Sequence, residues 1–131
     1  MANVSKGPFI TLFFFVLLFG SASVLKSADI LGDQVREAEI MMGGAIYLHL
    51  CGSFFLGILC RLTSRSSRCF GLPLPALFVL ILVVLDESIQ SLIPSRQFSW
   101  LDMTVNVFGV LSGTYFCSVI AMAWSKTKAS D

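Results

Sequence analysis

The sequence predicts an all-α, polytopic membrane protein with four transmembrane helices, and three observations carry that expectation. Of the 131 residues, 56% are hydrophobic and only 13% are charged. A soluble domain of this size is usually about a quarter charged. The apolar residues are also gathered into runs, over residues 8–25, 40–62, 74–93 and 100–124. A helix needs roughly 20 apolar residues to cross a bilayer, so four spans consume most of the chain. One domain, residues 1–131, is the expected organisation. The lipid bilayer is the expected partner. A net charge of +1 without a basic, aromatic-interleaved patch gives no support for nucleic-acid binding.

The first run, PFITLFFFVLLFGSASVL, lies between Lys6 and Lys26. Ser21-Ala22-Ser23 resembles a cleavage site, so a signal peptide is the rival reading. A retained span is preferred because three further runs follow it. Residues 27–39 form a polar connection, read as a solvated loop or a surface helix.

The second run holds the only histidine, His49. Ala45, Gly52, Ser53 and Leu56 share its helical face, at spacings of three, four and seven. Small residues there allow a neighbouring helix to approach closely. His49 can serve as a hydrogen bond between helices, or as a proton-transfer or ligand-contact group. If its helix starts at Ile40, it lies about 13 Å along the axis.

The segment RLTSRSSR, residues 61–68, is the most basic connection. Pro73 and Pro75 suit the first turn of the third helix. That helix is aliphatic up to Asp86 and Glu87. Residues 91–99 form another connection. Trp100 and Trp124 bracket the fourth run as interfacial anchors do.

Basic residues orient the chain. Lys6, Arg61, Arg65, Arg68, Lys126 and Lys128 gather at one set of ends, against Lys26, Arg36 and Arg96 at the other. This favours both termini on the cytoplasmic side of the cell membrane. The four cysteines show no CxxC or Cys/His metal spacing and are read as packing residues. No metal, cofactor or nucleophile–base pair is implied.

The chemistry concentrates in residues 85–113. Glu87 and Gln90 share a face of the third helix near its outer end. Asp102, Asn106, Gly109 and Gly113 share a face of the fourth. Gly109 and Gly113 form a GxxxG packing pair. His49, Glu87, Gln90, Arg96, Asp102 and Asn106 are the candidate polar pocket. Arg96 suits a phosphate or carboxylate, and Glu87 or Asp102 can act as acid or base if burial raises its pKa. The bland alternative is a satisfied network that only holds helices together, with Asp102 favoured at a helix start by the dipole.

The order E-x-x-Q-x-x-x-P-x-R-x-x-x-x-x-D-x-x-x-N-x-x-G, from Glu87 through Pro94 to Gly109, resembles the VanZ-like membrane family. His49 followed by Leu56-Gly57 resembles that family's histidine-bearing helix. The family often has a charged residue a turn before that histidine, where this chain has Ala45 and Ile46. The resemblance implies a small multi-helix membrane protein with a cell-envelope role. Two readings follow. In one, the pocket binds or acts on an anionic component at the outer face, such as a lipid-linked phosphate. In the other, the chain is a non-enzymatic scaffold or accessory subunit. Four helices would need to oligomerise to form a transport pathway.

Overall fold

A computed structural model describes residues 5–28, 30, 32–64, 68–69, 71–94 and 98–128. These residues form five helices: α1 (Lys6–Ser27), α2 (Gly32–Met41), α3 (Ala45–Thr63), α4 (Leu74–Gln90) and α5 (Trp100–Lys128). The all-helical expectation holds, apart from one small hairpin. Strands β1 (Arg68–Cys69) and β2 (Leu72–Pro73) pair antiparallel in the connection between α3 and α4. Gly71 stands at φ +80° in the tight turn between them, a conformation that costs glycine little.

Among the described residues, α1, α3 and α5 are long and apolar enough to cross a membrane. Helix α4 is 17 residues long, or about 26 Å, short of a 30 Å hydrocarbon core. Its predicted run ended at residue 93, but the chain leaves the helix after Gln90 into turns at Ser91 and Leu92. Pro75 lies in its first turn, as expected.

The second run is interrupted. Ile40 and Met41 belong to α2, and α3 starts only at Ala45. The cause is a Schellman ending on α2. Gly44 N–H donates to Glu39 O at 2.7 Å, and Gly43 N–H to Ile40 O at 3.0 Å. Gly43 has φ +89° and Gly44 φ +130°, which non-glycine residues rarely adopt.

Helix directions follow from paired contacts. Ser5 N–H donates to Thr63 O, and Phe15 stacks near Phe55, so α1 and α3 are antiparallel. On α3 and α5 the pairs advance together: Ser53 with Gly109, Gly57 with Val110 and Thr114, Arg61 with Ser118. These two helices therefore run parallel, with α4 returning between them. The end where α1 and α4 finish and α3 and α5 begin is called the upper end below.

The buried apolar core is small: Leu12, Leu56, Leu59, Cys60, Ala76, Val79 and Val110. Large side chains such as Phe9, Phe13, Phe14, Leu17 and Leu18 are instead half or more exposed along α1. Water would penalise that surface by about 25 cal/mol per Å², whereas lipid does not. Of the expected packing cysteines, Cys60 is fully buried, Cys117 half-buried and Cys51 exposed.

The tightest contact is the α3–α5 seam. A methyl group on Gly57 would collide with the Val110 carbonyl and lie 2.9 Å from Thr114 N. One on Gly113 would strike the Phe54 carbonyl. Both glycines of the GxxxG pair thus face α3. Thr114 Oγ1 donates across the seam to Gly57 O at 3.1 Å, and contacts Val110 O within its own helix at 2.8 Å.

Gly57→Ala should destabilise the bundle by about 1–3 kcal/mol, the usual cost of overpacking. Gly20→Ala, with nothing within 4 Å of the new methyl, should be neutral or slightly stabilising. Thermal unfolding in detergent checks this, and equal shifts for the two variants would contradict a close seam.

Candidate functional site

The polar groups of the upper end form two hydrogen-bonded clusters, one on each side of α4. Asp86 and Glu87 are adjacent, so their side chains leave the helix about 100° apart. Asp86 turns to α1. Its carboxylate accepts from Ser23 Oγ at 2.9 and 3.0 Å and from Gln90 Nε2 at 2.9 Å. Gln90 is one turn above Asp86 on the same helix and is buried. Close by, Lys26 of α1 forms an ion pair with Glu39 of α2.

Glu87 turns to α5. It is 3% exposed, a position a carboxylate rarely occupies without partners. Its Oε1 accepts from Ser99 N–H at 3.1 Å. Ser99 is the N-cap of α5: its Oγ accepts from Asp102 N–H at 3.1 Å, and its carbonyl accepts from Met103 N–H at 3.1 Å. In an ordinary capping box the acid three residues on would reach back to the cap N–H. Here Asp102 occupies that place in the sequence, but Glu87 of α4 takes the bond. The expected helix-start role of Asp102 is met through its backbone, with its half-buried carboxylate near the positive end of the dipole.

His49 and Asn106 lie on the α3–α5 seam. Ser53 meets Gly109, so residues one turn earlier on each parallel helix lie at one level. These are His49 and Asn106, both half-buried. The glycine break moves the start of α3 to Ala45, which puts His49 four residues, about 6 Å, from the helix end. That replaces the 13 Å expected from a helix starting at Ile40. Ser53 Oγ donates to His49 O at 2.6 Å. Among the described residues, the His49 imidazole, the Asn106 carboxamide and the Asp102 carboxylate have no hydrogen-bond partner.

Arg96 lies outside the described residues. Of the other five predicted positions, Glu87 and Asp102 are joined through Ser99. Gln90 is tied to the α1 side. His49 and Asn106 are level with each other below the start of α5. Ser23, Asp86 and Ser99 belong to these clusters in addition to the predicted positions. The Asp86–Gln90 spacing of four was a visible signal. Ser23 was hidden in the small-residue stretch read as a rival cleavage site, and Ser99 in the connection. Among the described residues, no group of three His, Cys, Asp or Glu side chains is placed to hold a metal.

No protein-family profile, characterised protein or solved structure matches this chain.

Glu87→Ala should remove the acceptor from Ser99 N–H and cost about 1–3 kcal/mol. Glu87→Gln keeps an acceptor oxygen and should retain most of that stability. Ser99→Ala should cost about 1 kcal/mol through the lost cap. Unfolding of the three variants under one detergent condition tests the set. A Glu87→Ala variant as stable as the parent would refute a stabilising role for the Glu87–Ser99 bond.

Proposed function

We propose that this chain is a four-span membrane protein of the VanZ-like type that binds an anionic, lipid-linked component at the outer face of the cell membrane. In this reading α4 crosses the membrane too, as the third of four spans, and both termini are cytoplasmic, as the distribution of basic residues favours. The upper end then faces outward. One observation carries the proposal: the helix–loop–helix that holds the family-like residues is also where the polar groups of α4 and α5 converge. Glu87, Ser99 and Asp102 join the two helices there, and His49 and Asn106 stand level with each other on the adjoining seam.

The residues divide into two roles. Glu87 is committed to a hydrogen bond that positions the start of α5, and Gln90 braces the Asp86 carboxylate that holds α1 through Ser23. Arg96, in the connection between α4 and α5, supplies the charge that recognises phosphate or carboxylate. Asn106 and His49 supply further hydrogen bonds to the ligand from the seam. Nothing in this proposal requires catalysis.

A second reading is favoured by the mutual satisfaction of Ser23, Asp86 and Gln90. There the polar end is structural glue in a scaffold or accessory subunit. Asn106→Ala separates the two. The binding reading expects a folded protein that binds the ligand more weakly, and the scaffold reading a protein whose ligand binding does not change.

Arg96→Ala, assayed in nanodiscs with a long-chain alkyl phosphate as probe, should bind about tenfold more weakly, the scale of one lost charged hydrogen bond. Unchanged binding overturns the assignment of Arg96.

A further inference from the structure

We propose that the elbow between α2 and α3 is a bilayer-surface anchor, inserting Ile40, Met41 and Met42 among lipid acyl chains beside the upper end of the bundle. The elbow exposes a run of large apolar side chains: Ile40 at 70%, Met41 at 87% and Met42 at 45%. The patch continues into the first turn of α3 through Ile46 and Tyr47, at 42% and 57%. Helix α3 is long and apolar enough to cross a membrane. Its first turn therefore stands at the bilayer boundary, and the elbow joins a surface that already meets lipid.

Three features fix the elbow there. First, α2 is held by two short tethers, residues 28–31 and 42–44, each ending on a membrane-length helix. Chain of that length reaches at most about 14 Å. Second, the elbow is closed by the Schellman bonds of Gly43 and Gly44, which set the side chains of residues 40–42 relative to α3. Third, the carboxylate nearest the elbow, Glu39, is paired with Lys26. Neutralising it lowers the cost of bringing the elbow against hydrocarbon. The exposed remainder of α2, with Asp33, Gln34, Arg36 and Glu37, stays in the headgroup water. Polar residues followed by an apolar tip are the pattern of an interfacial segment that lies on a membrane and does not cross it.

Tryptophan fluorescence in nanodiscs tests this with the full chain. Met41→Trp and Glu37→Trp are compared after subtracting the parent spectrum, which contains Trp100 and Trp124. Lipid brominated near the carbonyl end of the acyl chain should quench the added signal at residue 41 about twofold or more relative to residue 37, as expected for a buried interfacial ring. Water-like, unquenched emission at residue 41 would overturn the proposal. It would leave the patch for a protein partner. If Met41→Trp does not fold, Ile40→Trp carries the same test with the same two outcomes.

Discussion

The backbone-to-backbone approach of α3 and α5 is the constraint on which the other arrangements depend. In lipid, apolar side chains gain little by leaving one hydrocarbon surface for another, so helices associate through close packing and hydrogen bonds. Gly57, Gly109 and Gly113 remove the side chains that would hold the two axes apart. Thr114 then reaches the Gly57 carbonyl, and Arg61 Nε donates to Ser118 Oγ at 2.9 Å one turn further on. The contact is parallel, which requires the intervening chain to return through α4. It also fixes the level at which each polar residue of the upper end is presented.

Given that seam, the acids of α4 have clear tasks. Two adjacent carboxylates at the end of an apolar helix would be costly if both faced lipid. They point instead to different neighbours. Asp86 holds α1 through Ser23, and Glu87 holds the start of α5 through Ser99. Each bond replaces a hydration shell with a fixed donor. Helix α5 therefore begins at a place set by α4, as well as by its own cap.

Much of this was legible in composition and spacing. The all-helical class follows from long apolar runs with few charges. The GxxxG face follows from residues four apart, because Gly109 and Gly113 must lie on one stripe whatever the neighbours are. The break at Gly43-Gly44 was not read, because apolar residues on both sides masked two glycines that only a positive φ makes decisive. The place of His49 depended on that break. Ser23 and Ser99 were invisible for another reason. A hydroxyl becomes important through its partner, and those partners are 63 residues away for Ser23 and 12 for Ser99. Local periodicity carries no information about such pairs.

In the proposed four-span reading, the short α4 must still cross the bilayer. A helix of about 26 Å leaves its ends within reach of the hydrocarbon. Unsatisfied backbone groups there would each cost several kcal/mol. At its upper end the turns at Ser91 to Ile93 bond back to Ser88, Ile89 and Gln90, while Asp86, Glu87 and Gln90 bind side chains and backbone of α1 and of the segment before α5. At its lower end, Pro73 and Pro75 bring no N–H to satisfy, and the β1–β2 pair closes the backbone next to it. Hydrogen bonds of the flanking turn and hairpin thus close the backbone at the two ends of α4. On this account α4 can end where it does because the turns that follow satisfy its last carbonyls, while its acids tie that end to α1 and to the start of α5.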